Sequence, residues 1–180
     1  MTHQYILAID QGTSSTKTLI FDERGVAVAK GTEPLVTSYL DNGFVEQDPE
    51  GIFQNVIASV QDCLQQFNEK GLDVNEIVSI GISNQRETFV IWDREGKPLC
   101  PAVVWQCKRS VKVCELLKEK GLSEVIQQKT GLVIDPYFSA TKIIWLFQNN
   151  AAIRGSIEKG NAFFGTIDTW LLYRLTNGKE

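Results

Sequence analysis

Near its start the chain gathers a carboxylate, a run of hydroxyls and a cation: Asp10, Gly12, then Thr13, Ser14, Ser15 and Thr16, then Lys17. The apolar residues Tyr5, Ile6, Leu7 and Ile9 precede them, so a strand delivers Asp10 straight into a glycine turn. That order suits a polyphosphate. Backbone N–H groups and hydroxyls of a tight turn cradle anionic oxygens, Lys17 offsets their charge, and Asp10 can hold a hydrated magnesium ion nearby. The chain contains neither G-x-x-x-x-G-K-[ST] nor G-x-G-x-x-G, the two common phosphate-binding spacings. An ordinary hairpin turn rich in Gly and Ser would look the same on this stretch alone.

Two further polar clusters could carry chemistry. Ser83-Asn84-Gln85-Arg86-Glu87 lies between two apolar runs and ends in a cation beside an anion. A polyol hydroxyl both donates and accepts, so Arg86 donating and Glu87 accepting would suit it, although a solvated turn has the same composition. In Val103-Val104-Trp105-Gln106-Cys107-Lys108-Arg109 a strand ends at Trp105, whose indole could wall a pocket against the C–H face of a polyol or pack in the core. Tyr137, in the turn Asp135-Pro136-Tyr137-Phe138-Ser139, has the same two readings.

These residues need a scaffold to position them. Strands are expected over 4–10, 16–22 and 25–33, joined as hairpins. After a long connection over 34–47, Asp48 caps a helix with Pro49 at its first position and Glu50 in its first turn. Ile52, Val56, Val60 and Phe67 recur at helical spacing, and Gly71 ends the pattern. Strands follow at 77–82, 88–92 and 101–105, helices at 109–120, 123–129 and 140–149, a strand at 162–167, and a helix capped by Asp168. The order predicts an α/β fold with a mixed sheet.

At 180 residues, with 43% hydrophobic and 22% charged side chains, the chain can bury a core of ordinary size. A formal net charge of −4 without a Lys/Arg run argues against nucleic acid or an anionic membrane as partner. There is no signal-type start, and no apolar run approaches the roughly 20 residues that span a bilayer, so a cytoplasmic protein is expected. Cys63, Cys100, Cys107 and Cys114 form no CxxC pair, and His3 alone could supplement them. The expectation is reduced thiols, with no structural metal.

AIDQGTSSTK, GISNQRET, AVVWQCKR, TGLVIDPYFSATK and FGTIDTWLLYRLTNG, in this order along nearly the whole chain, resemble the first domain of the FGGY carbohydrate kinase family. NQRE, WQCKR and DPYFSATK together resemble its glycerol-phosphorylating branch, apart from sugar kinases such as the xylulokinases. The resemblance implies a ribonuclease H-like fold of the actin and hexokinase type, with a mixed five-stranded sheet flanked by helices. Residues 1–180 would be its N-terminal kinase domain, without the C-terminal adenine-binding domain. It implies ATP and Mg2+ as cofactors, with Gly12, Thr13, Ser14, Ser15 and Lys17 on the nucleotide phosphates and Asp10 on magnesium through water. Arg86, Glu87, Trp105 and Tyr137 would line a glycerol pocket. Lys17 and Lys108 stand where arginine is common in the family, and a lysine offers a point charge in place of a bidentate fork.

The implied reaction moves the γ-phosphoryl of ATP to a terminal hydroxyl of glycerol, giving glycerol 3-phosphate and ADP. The general base belongs to the family's second half, and members run to roughly three times this length, more than one domain's worth. Residues 1–180 alone are therefore expected to be an inactive fragment. Another sugar or polyol kinase of the family, or a non-catalytic ribonuclease H-like binding module, stays open at this point, as does homo-oligomerisation of a full-length protein.

Overall fold

The computed structural model describes residues 4–178; His3 lies outside them. In chain order the elements are β1 (Tyr5–Gln11), β2 (Ser15–Phe21), β3 (Ala27–Pro34), β4 (Ser38–Tyr39), β5 (Val45–Gln47), α1 (Pro49–Glu69), β6 (Ile77–Asn84), β7 (Phe89–Asp93) and β8 (Ala102–Val103). Then come α2 (Val111–Glu119), α3 (Ser123–Thr130), α4 (Ser139–Asn149), α5 (Ala151–Glu158), β9 (Ala162–Thr166) and α6 (Ile167–Leu175). The chain divides into two compact units. The first holds residues up to Thr37, Asp48–Gln85 and the stretch from Leu171, and the second Ser38–Gln47 and Arg86–Trp170.

The first unit is built on a sheet of order β3-β2-β1-β6. β1 and β2 pair antiparallel, as do β2 and β3, while β6 runs parallel to β1. Alternation along β1 buries Tyr5, Leu7, Ile9 and Gln11 on one face. Helix α1 covers that face with Ile52, Val56, Cys63 and Phe67, an apolar stripe at helical spacing interrupted by Ser59. Tyr5 meets Phe67 edge to face, with ring centroids 4.9 Å apart. Midway along the contact Thr18 and Ser59 share a 2.6 Å hydrogen bond, and Gly31 on β3 lies under the helix backbone.

The start of α1 matches the sequence reading. The Asp48 carboxylate accepts from the backbone N–H of Glu50 at 3.2 Å and of Gly51 at 3.1 Å. Glu50 pairs with Arg174, which also lies over the Phe53 ring at 4.2 Å. That guanidinium holds the Glu50 carboxyl below its usual range. Asp48→Ala is expected to cost about 1 kcal/mol, the usual worth of a helix cap, and a thermal melt showing no loss would refute the capping role.

The second unit carries a wholly antiparallel sheet of order β4-β5-β8-β7-β9. Its core joins Val45, Phe89, Ile91, Val103, Val104 and Cys107 with Leu146 of α4 and Ile153 of α5. Trp92 and Trp170, both buried, meet at 5.2 Å.

The α/β class and the mixed sheet flanked by helices are as expected, but among the described residues that sheet has four strands. The chain leaves it after Asn84, bends at Arg86 and Glu87, and enters a second sheet at Phe89. The expected strands and helices agree with the observed strands and α-helices to within two residues at each end, apart from three differences. The connection over 34–47 contains β4 and β5, α5 was not expected, and Asp168 is the second residue of α6 and not its cap. The Asp168 carboxylate instead accepts from Thr166 Oγ1. No helix among the described residues is long and apolar enough to cross a membrane.

Candidate functional site

The first unit carries the hydroxyl-rich turn. Four successive carbonyls of this turn accept hydrogen bonds from within the unit: Gly12 O from Gln11 Nε2 at 2.8 Å, Thr13 O from Thr37 Oγ1 at 3.3 Å, Ser14 O from Leu35 N at 2.9 Å, and Ser15 O from Gly12 N at 2.9 Å. These carbonyls are engaged within the unit, and so is the Gly12 N–H, so an anion here would meet the hydroxyls of the turn, that of the exposed Ser14 among them. Gly12 also has little room, since a Cβ there would sit 3.1 Å from Ser15 O. Ser14 is exposed and Ser15 half-buried. Thr16 differs from its neighbours: it is fully buried, and its Oγ1 has no partner among the described residues. Strand alternation turns it to the covered face, so it offers nothing to a ligand on the open one.

Asp10 and Lys17 are cross-strand partners, both exposed, on the face opposite Tyr5, Leu7 and Ile9. Among the described residues they form no ion pair. A single exposed carboxylate beside hydroxyls is a hard oxygen donor that suits a hydrated Mg2+, which keeps several of its waters. It does not make a dedicated cage, and among the described residues no group of three or more His, Cys, Asp or Glu could hold a metal ion.

The second unit carries the other four expected site residues. Trp105 and Tyr137 meet edge to face, with centroids 5.6 Å apart, and both line a cavity of about 400 Å³ together with Cys107, Lys108, Asp135 and Pro136. The indole is aimed by its own backbone, because Trp105 N donates to Thr88 Oγ1 at 3.1 Å. Tyr137 is set by an Asx turn, its N–H donating to Asp135 Oδ1 at 2.7 Å. Arg86 and Glu87 lie outside that lining. Arg86 is exposed.

Glu87 is held in an unusual way. Its φ is +64°, in the left-handed region that costs a residue with a Cβ about 1–2 kcal/mol. Ser139, the first residue of α4, fixes it there: Ser139 N donates to Glu87 Oε2 at 3.1 Å, and Ser139 Oγ lies 2.9 Å from Glu87 O and 3.1 Å from Oε2. Glu87 thus caps α4 from a distant segment. Oε2 is engaged, while Oε1 accepts from no described residue.

Two buried cations were not singled out from the sequence. Arg109, 8% exposed, pairs with Glu46, reaches Cys107 Sγ at 3.0 Å, and lies over the rings of Phe44 at 4.6 Å and Trp145 at 5.2 Å. Lys142, 0% exposed, sits one turn into α4 with Nζ 2.9 Å from Tyr137 O and 3.5 Å from Val104 O. Burial pushes its ammonium down to about 8, against the pull of Cys107, Glu87 and Asp135, while Arg109 pushes further down. An unfolded lysine titrates near 10.4. Between the two values the unfolded chain holds the extra proton, so this group's contribution to stability rises with pH across that window. Ser139 and Lys142 both stand in the SATK phrase, three residues apart at helical spacing, the one signal that could have paired them.

The first unit thus carries a hydroxyl-rich turn, and the second a cavity walled by Trp105 and Tyr137. The chain belongs to the FGGY family of carbohydrate kinases: residues 5–180 match the family model of the N-terminal domain. It is 47% identical over 177 residues to glycerol kinase 1 of Clostridium tetani, covering 98% of this chain and 35% of that relative. It is 48% identical over 181 residues to the glycerol kinase of Marinomonas sp., covering 100% of this chain and 36% of that one. The crystal structure of Plasmodium falciparum glycerol kinase with ADP superposes with a TM-score of 0.91 at 38% identity, over 98% of this chain and 35% of that one. The chain therefore spans 35–36% of the length of these relatives.

Proposed function

We propose that residues 1–180 are the polyol- and phosphate-binding part of an ATP-dependent glycerol kinase, whose adenine-binding part lies in the remaining length of such a protein. The observation that carries this reading is the Trp105–Tyr137 corner on a cavity of about 400 Å³, which has ample room for a small polyol. The indole and phenol faces pack against C–H groups, and the fixed Glu87 carboxylate accepts from a hydroxyl through Oε1. Arg86 donates to the neighbouring hydroxyl oxygen. A site built to satisfy hydroxyls discriminates strongly against analogues that lack them, because its own polar groups would be left unpaired.

On the nucleotide side, the donors of Thr13, Ser14 and Ser15 and the Lys17 ammonium receive the phosphate tail, while the Gly12 N–H closes the turn on Ser15 O. Asp10 would hold Mg2+ through water, and the ion would supply charge neutralisation on the phosphates. The terminal oxygen of glycerol attacks the γ-phosphorus, the bond to the β-phosphate oxygen breaks, and ADP leaves. A carboxylate outside residues 1–180 takes the hydroxyl proton. The chain's share of the work is alignment and charge stabilisation, which dominate catalysis of phosphoryl transfer.

The test is a substrate screen with the full-length protein that carries residues 1–180, offering glycerol, xylulose, ribulose and gluconate with ATP. Glycerol is expected to give glycerol 3-phosphate and ADP with the highest kcat/KM, and a strong preference for any other acceptor overturns the reading. Residues 1–180 alone are expected to show no turnover.

A further inference from the structure

We infer that Lys142 is a positioning residue for the polyol pocket, its buried ammonium tying the turn that carries Tyr137 to the strand end that carries Trp105. The inference rests on the function proposed above.

Among the described residues Lys142 has no carboxylate within ion-pair range, and its side chain is fully buried. Its Nζ donates to two main-chain oxygens, Tyr137 O at 2.9 Å and Val104 O at 3.5 Å. Tyr137 belongs to the turn before α4, and Val104 is the residue before Trp105 at the end of β8. One cation therefore reaches the backbone behind both aromatic walls of the cavity. The groups around it are the Cys107 thiol, the Glu87 and Asp135 carboxylates and the Arg109 guanidinium, and burial outweighs their combined pull. A cation so placed costs the fold stability, and an apolar side chain of similar length would pack there at lower cost. Retaining a lysine is then explained by what its donors hold. Tyr137 and Trp105 make their edge-to-face contact across this bridge, and a tether to both backbones fixes the cavity's width between them.

The substitution that separates this role from simple packing is Lys142→Met, which keeps the length and removes the donors. Two arms test it. In residues 1–180, the nuclear Overhauser contact between the Trp105 and Tyr137 rings is expected in the wild type and lost in Lys142→Met, with melting temperature at pH 7 held or raised. In the full-length protein, KM for glycerol is expected to rise at least tenfold, with KM for ATP unchanged. Lys142→Gln, which keeps one donor, is expected to fall between. Any gain in melting temperature from Lys142→Met should shrink as pH rises from 7 towards 9, where the wild-type lysine sheds its proton.

Persistence of the ring contact in Lys142→Met overturns the inference, as does a glycerol KM within twofold of wild type. Failure of both variants to fold also overturns it, because the lysine would then hold the fold and not the pocket. A wild-type protein that ignores glycerol refutes the functional reading alone, and the ring contact still decides the role of Lys142.

Discussion

Gly31→Ala is expected to lower the stability of the chain by about 3 kcal/mol or more, beyond ordinary overpacking of a core. A Cβ at Gly31 would lie 2.0 Å from Ser59 O and 2.9 Å from Cys63 N, both main-chain atoms of α1. A crowded flexible side chain can swing away, but a helix backbone moves only as a body. Relief would lift α1 from β2 and β3, stretching the 2.6 Å Thr18–Ser59 hydrogen bond and opening the layer where Ile20, Ile52 and Val56 are fully buried. For a chain of this length, that loss corresponds to a fall in melting temperature of roughly 6–12 °C. A melt within about 2 °C of wild type would mean that the helix sits less tightly on the sheet than this geometry requires.

The second large effect is expected at Glu87. Glu87→Gln keeps the size and the left-handed backbone but exchanges a charged acceptor for a neutral one. A hydrogen bond to a charged group is worth about 1.5–3 kcal/mol, so kcat/KM for glycerol in the full-length protein should fall about 10- to 100-fold. The loss should be confined to the polyol, leaving KM for ATP unchanged. Steady-state kinetics with glycerol varied at saturating ATP checks it, and a change within threefold refutes the assignment of Glu87 to the acceptor hydroxyl. A separate cost follows at the start of α4, where the Glu87 carboxylate accepts from Ser139 N; it should appear as a small drop in melting temperature.

The first unit was legible because its signals are local. Asp48-Pro49-Glu50 announces a helix start, and the alternation in β1 announces a half-buried strand before any contact is known. The same alternation carries the fate of Thr16: with Lys17 outward, its neighbour must turn inward, so one of the four hydroxyls was never available. The second sheet was harder, for a physical reason. β4 and β5 are two and three residues long, too short to show a period, and β5 exists because Glu46 and Gln47 pair with Val103 and Ala102 far along the chain. α5 follows α4 with only Asn150 between them, where the Asn150 side chain accepts from Ile153 N at 3.1 Å.

At the site, residue types bring Trp105 and Tyr137 to one cavity, but do not show what holds them. Trp105 and Tyr137 share a cavity as the polyol reading requires, whereas nothing in Ser83–Glu87 indicates that Glu87 would adopt a positive φ. Arg109 and Lys142 were passed over because charged residues are ordinarily at the surface. Their burial is a tertiary outcome, set by Glu46 for one and by two backbone carbonyls for the other.

Strand β6 sets a practical limit on the isolated chain. Among the described residues no strand lies beyond it in the sheet, and its side chains Val78 and Ile80 are 58% and 64% exposed. A bare margin of that kind, apolar and hydrogen-bond-hungry, templates pairing between copies. A sticky part of residues 1–180 is thus the rim of the sheet that supports the turn. Engineering a soluble stand-alone version would begin there, with a lysine or glutamate at Val78 or Ile80, before any residue of the site is touched.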